Sequence, residues 1–208
     1  MYLFLDCETG GLTPDYSLLT LAAVVADKDF HPIRGGNNVD TLSLAIRHDT
    51  YVVSPEALTI NKIDLVNHSA CGLKLEQAQQ KFEDFVRQAK EMAGERLIPA
   101  GHNLPFDLNF VWAQLMPQDQ WRRYFHYHFL DTMVVARFFK ATGVIEGGCS
   151  LTNLCDLFGF STAEAHTALA DTKATLEVAR ALTAITRGLA DQRPAGAHTA
   201  NCTSGTAP

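Results

Sequence analysis

The sequence predicts a layered α/β fold built on a mixed sheet. Three strand-like runs come first, separated by turn residues. Amphipathic helical stretches then alternate with a further buried run. With 208 residues, 47% of them hydrophobic, the chain can bury one sizeable core.

The first run, YLFLDCET at 2–9, is apolar enough to be a buried strand, and GGLTPDYS is the Gly/Pro turn that leaves it. LLTLAAVVAD (18–27) and TLSLAIRH (41–48) continue the sheet, with turn residues in KDFHPIRGGNN between them, as in a meander. In SPEALTINKI, Ser54 is placed to cap a helix, with Pro55 at its first position and Glu56 in its first turn. Residues 73–94 form a long amphipathic helix with Leu75, Ala78, Phe82, Phe85, Val86 and Ala89 on one face. A second buried strand follows at 96–103, then a helix at 105–116 started by Pro105. WRRYFHYHFLDTMVVARFFKAT suggests a short strand and a helix, and SLTNLCDLFGF a short helix ending near Gly159. The last helix covers 167–189. The domain reading is therefore 1–188, with a small, polar, flexible tail at 189–208.

Composition narrows the function. Five scattered cysteines without a C-x-x-C pair fit a reducing compartment, and no apolar run is long enough to span a bilayer. No charged stretch leads into an apolar N-terminal segment, so the expected location is the cytoplasm. The net charge of −6 argues against a long nucleic-acid footprint, which favours basic faces. A protein that holds only a chain end, through metal ions, needs no such face.

The chemistry lies in carboxylates at the ends of elements. Residues i and i+2 of a strand share a face, so Asp6 and Glu8 project together while Cys7 points the other way as a small core residue. Alone, the pair could be a hydrated strand end. Asp107, in GHNLPFD, falls in the first turn of a helix, where free N–H groups and the helix dipole favour negative charge. That too could be purely stabilising. In EAHTALADT, His166 and Asp171 lie off a common helical face. If Thr167 caps the helix, His166 sits in the preceding loop and Asp171 in the first turn, and both can reach one site.

Taken together and in order, D-C-E-T-G-G-L (6–12), H-N-x-x-F-D (102–107) and H-x-x-x-x-D (166–171) resemble the DEDDh, or DnaQ-like, family of 3′→5′ exonucleases. The resemblance covers about residues 2–185. It implies a ribonuclease H-like fold, with a five-stranded mixed sheet flanked by helices. It also implies that Asp6, Glu8, Asp107 and Asp171 hold two divalent cations, Mg²⁺ or Mn²⁺, with His166 as general base. Hard cations prefer such oxygen ligands, and four carboxylates balance the charge of two of them.

The implied substrate is the 3′ end of single-stranded DNA or RNA, and the implied products are nucleoside 5′-monophosphates. Thr9 and Gly10 follow the first acids, and glycine allows close backbone approach. Leu12 and Phe106 would wedge or stack against terminal bases, although Phe106 also suits core packing. His102 and Asn103 match the family motif, and Asn103 could serve only the helix start. A polymerase or a second copy of the chain are further candidate partners.

Other features favour plain readings. His126 and His128 have strand spacing but no third metal ligand nearby, so they read as an exposed strand face. Arg122, Arg123, Arg137 and Lys140 could line a basic rim along a strand path, or simply be solvated. Ser17, Ser54 and Ser150 lack a nucleophile-elbow context. The alternative function is a non-catalytic module of the same fold that binds nucleic acid or a polymerase. Against it, every catalytic-type residue is present. A third reading, an endonuclease or transposase-type nuclease, is disfavoured by the His166/Asp171 pairing.

Overall fold

Alternation in the first strand sorts its side chains into two cores. Leu3, Leu5 and Cys7 of Tyr2–Thr9 (β1) enter one hydrophobic cluster, and Phe4 enters another on the opposite face. Leu18–Ala26 (β2) is buried on both faces in the same way, as a central strand must be. The protein is a computed structural model, and it describes residues 1–33, 41–161 and 167–191, apart from the side chains of 190 and 191. His166, the end of the 28–38 turn and tail residues 192–208 lie outside the described residues.

The expected meander is present: β1 pairs antiparallel with β2, and β2 with Thr41–Arg47 (β3). Two short helices follow, Pro55–Asn61 (α1) and Leu65–Cys71 (α2). Ser54 caps α1 by accepting a bond from the Ala57 N–H, as its position predicts. Asp64 caps α2, a helix whose single apolar turn carries too little periodicity to be read from sequence. Leu73–Lys74 (β4) pairs parallel with β3, and Leu75–Ala93 (α3) covers that face of the sheet. On α3 the residues Ala78, Phe82, Phe85, Val86 and Ala89 are buried, the face that periodicity selects. Enclosing Phe82 alone contributes about 1.5–3 kcal/mol.

Beyond α3 the sheet turns parallel. Ile98–Gly101 (β5) lies beside β1, and Leu130–Asp131 (β6) lies beside β5. Between them Leu104–Phe110 (α4) runs into a single π-helical turn, Val111–Leu115, before the short helix Gln118–Trp121 (α5). Thr132–Ala141 (α6), Leu151–Phe158 (α7) and Ala168–Asp191 (α8) complete the chain, with α8 packed on β1 and β2 and against α7. The sheet order is β4-β3-β2-β1-β5-β6.

The architecture is the expected mixed sheet flanked by helices, with six strands where five were expected. The difference is physically small, because β4 and β6 are two-residue edge strands. Three local expectations need correction. His126 and His128 lie in irregular chain before β6, not on a strand, although their rings do stack at 4.8 Å. Arg122 and Arg123 follow α5 in a turn while Arg137 and Lys140 sit on α6, so no strand path joins them. The last helix runs to Asp191, past the expected start of the tail at 189.

Candidate active site

Three acids converge where β1 ends. Ligand oxygens of Asp6, Glu8 and Asp171 all lie within 4.8 Å of one another. Asp6 and Glu8 share the strand face that meets α8, as the two-residue period requires. Asp171 arrives from the first turn of α8, whose start is fixed by Thr167. The Thr167 hydroxyl accepts the Ala170 N–H at 3.3 Å, the capping role expected of it.

Asp107 approaches from the other side of β1. It sits in the first turn of α4, is buried, and accepts the Cys7 backbone N–H on Oδ1 at 2.9 Å. Cys7 is buried in the core on that side, as its alternation predicts. The start of α4 is held by a residue that sequence reading passed over. One Asp131 carboxylate accepts the N–H groups of Asn103 and Leu104, at 3.0 and 3.1 Å, and also caps α6 through Met133 at 2.9 Å. Its only signal in the sequence is an Asp standing just before a helical stretch.

The acids crowd one another in a buried setting. Burial, then repulsion from Asp107, Asp171 and Glu8, holds Asp6 well above the ordinary carboxylate range. Burial and Asp171 push Glu8 up to about 7. Asp107 is pushed up to about 8, mainly by burial, against the downward pull of the Cys7 backbone N–H. An oxygen-only donor set whose members resist ionisation together fits a hard divalent cation, which would relieve that cost.

A cleft of about 800 Å³ opens beside Glu8, walled by the loop after β1 and by α1. Leu12, 84% exposed, and half-buried Phe106 both line it. Thr9 lines it as well, but its hydroxyl is spent on the Gly11 carbonyl at 2.7 Å. Gly10 does permit a close backbone approach, to the protein itself. A Cβ there would lie 2.3 Å from the Val52 carbonyl oxygen, and Gly10 bonds Ser17 and Ser54 through its own N–H and C=O.

His102 and Asn103 stand apart from the cleft. The His102 ring bonds the Thr132 hydroxyl through Nδ1 at 2.9 Å, and Asn103 takes a left-handed conformation (φ 61°) at the head of α4. Asn103 thus serves the helix start. Asn61, which the sequence did not flag, is buried against the cleft and donates to the Thr9 carbonyl at 3.2 Å.

A carboxylate cluster at the end of the central strand of a mixed sheet, beside an apolar cleft, is an arrangement that can hold a divalent cation next to a bound substrate. The chain matches the RNase_T exonuclease family over residues 3–179 and belongs to it, as a DEDDh, DnaQ-like 3′→5′ exonuclease. It is 31% identical over 180 residues to Ribonuclease T of Marinobacter nauticus, covering 83% of this chain and 77% of that protein. Ribonuclease T of Actinobacillus pleuropneumoniae is 28% identical over 191 residues, with 84% and 79% covered. Among solved structures, Escherichia coli Exonuclease I in complex with a dT13 oligonucleotide superposes with a TM-score of 0.67 at 21% identity. That likeness is one of fold. It covers 91% of this chain, which spans only 42% of the Exonuclease I chain. No helix among the described residues is long and apolar enough to cross a membrane.

Proposed function

We propose that this chain removes nucleotides one at a time from the 3′ end of single-stranded nucleic acid, releasing nucleoside 5′-monophosphates. The observation that carries the reading is the convergence of Asp6, Glu8 and Asp171 beside the cleft that Leu12 and Phe106 line. The relatives named Ribonuclease T and the oligonucleotide-bound Exonuclease I support nucleic acid as the substrate.

Asp6, Glu8, Asp107 and Asp171 would hold two divalent cations, Mg²⁺ or Mn²⁺. When bound, such ions supply Lewis-acid activation of water and stabilise the leaving oxygen. His166 acts as general base and takes a proton from the attacking water on a ring nitrogen. The water oxygen bonds to phosphorus as the bond to the 3′ oxygen of the preceding nucleotide breaks. That oxygen gains a proton and becomes the new 3′ hydroxyl. Leu12 and Phe106 hold the terminal bases by apolar contact and stacking, which every base can accept. The exonuclease domain would extend from the start of the chain through the end of α8. The free thiols of Cys7, Cys71, Cys149 and Cys155 fit a cytoplasmic setting.

The test is a panel of 5′-labelled single strands of DNA and RNA with Mg²⁺ or Mn²⁺. A ladder of progressively shorter products is expected, abolished by EDTA. A single internal cut, or shortening that persists in EDTA, overturns the mechanism. Binding of the strands without any shortening would instead identify a non-catalytic module.

A further inference from the structure

We infer that Gln114 is a positioning residue for substrate: it holds the cleft-forming loop between β1 and β2 in its strand-binding shape. The inference rests on the proposed function, in which that loop presents Leu12 to the strand end.

The loop, residues 10–17, contributes Leu12, Thr13 and Tyr16 to the cleft. Its base is closed by the Gly10 N–H donating to Ser17 at 2.7 Å, and its turn by Tyr16 donating to Thr13 at 3.0 Å. Leu12, Thr13 and Asp15 are exposed, and Tyr16 is the residue that packs this stretch against the core. The backbone on either side of Tyr16 is also held from outside the loop. Gln114 Nε2 donates to the carbonyls of Pro14 at 2.9 Å and Tyr16 at 2.7 Å, while its Oε1 accepts the Leu18 N–H at 3.0 Å. A primary amide has two N–H donors and one oxygen, and all are used on one loop. No other neutral side chain of that length both donates twice and accepts.

Gln114 is itself held. It belongs to the π-helical turn, closed where the Met116 N–H reaches five residues back to Val111 at 2.8 Å. Pro117 follows and has no N–H to offer, and the Gln114 carbonyl accepts from Gln79 Nε2 at 2.8 Å. A polar chain therefore runs from α3 through the π turn to the cleft loop. Such turns recur at functional sites, where they depart from α-helical geometry for a local purpose.

Without the amide, the loop would have to be ordered each time a strand binds, a cost that falls on binding more than on chemistry. Gln114→Ala should raise KM for a short single strand about tenfold while kcat stays within about twofold, since one net hydrogen bond is equivalent to about that factor. Gln114→Glu keeps the acceptor for Leu18 but sets a carboxylate against two carbonyls, so its KM should rise at least as far. Gln79→Ala should move KM the same way by a smaller factor, and it keeps the test open if the Gln114 variants fail to fold.

The experiment is steady-state cleavage of 5′-labelled strands by the full chain and its variants, with a thermal melt of each. Folded variants whose melting temperature drops while KM stays at the wild-type value would reduce Gln114 to a structural tie and overturn the inference. Equal losses in kcat with unchanged KM would also overturn it. A wild-type protein that shortens no strand with metal present refutes the proposed function itself, a result distinct from either.

Discussion

The backbone N–H of Cys7 donates to Oδ1 of Asp107 at 2.9 Å, joining the central strand to the first turn of α4 across 100 positions of sequence. Asp107 thereby does two things: it accepts a structural bond, and it brings a charge to the acidic cluster from the side opposite Asp6 and Glu8. Asparagine separates the two, because its amide oxygen still accepts from Cys7. Asp107→Asn should fold, and its metal-free melting temperature at about pH 8 should equal or exceed that of the wild type, since a buried charge is gone. Exonuclease activity should fall by about 10²- to 10³-fold, because a ligand of the proposed metal site is lost. Melting curves and single-turnover rates check both halves. A collapsed melt would make Asp107 mainly a structural tie.

The acidic cluster also sets how metal-free stability changes with pH. Glu8 is raised from 4.5 to about 7, and Asp107 from 3.8 to about 8. A carboxyl whose folded pKa is raised favours the folded state fully below its unfolded pKa, and loses that contribution as pH climbs through the folded value. With EDTA present, the melting temperature should therefore fall between about pH 4 and about pH 8 on account of these groups. Mn²⁺ or Mg²⁺ should restore it, and more at pH 8 than at pH 6, because the ions bind ionised ligands. Melts across that range with and without metal are decisive. A metal-free melting temperature that climbs through the window contradicts the electrostatics described.

Base and ligands should separate kinetically. His166→Ala removes a group assigned to proton transfer, so the rate should fall about 10²- to 10⁴-fold while metal affinity is retained. Asp171→Asn removes a charge from the cluster, so metal affinity itself should fall. Titrating Mn²⁺ into both variants and measuring single-turnover rates distinguishes the roles. Near wild-type rates for His166→Ala at saturating metal would mean that another group takes the proton.

Local rules made much of this protein legible in its sequence. The two-residue period put Asp6 and Glu8 on one face, the Ser54 and Thr167 caps marked helix starts, and the apolar stripe of α3 identified the residues it buries. Each rule acts within a turn or a strand pair, where neighbours in sequence are neighbours in space. Only the tertiary structure decided which remote groups meet. Sheet order sets α8 against β1, so Asp171 joins Asp6 and Glu8. The same order makes Asp107 enter from the Cys7 side, lets one Asp131 carboxylate hold the heads of α4 and α6, and brings the Gln114 amide to the loop before β2. It also ties the His102 ring to the Thr132 hydroxyl. An Asp or a Gln reads alike in sequence whether it faces water or a distant backbone. The packing of segments far apart in the chain makes that choice, and no local periodicity records it.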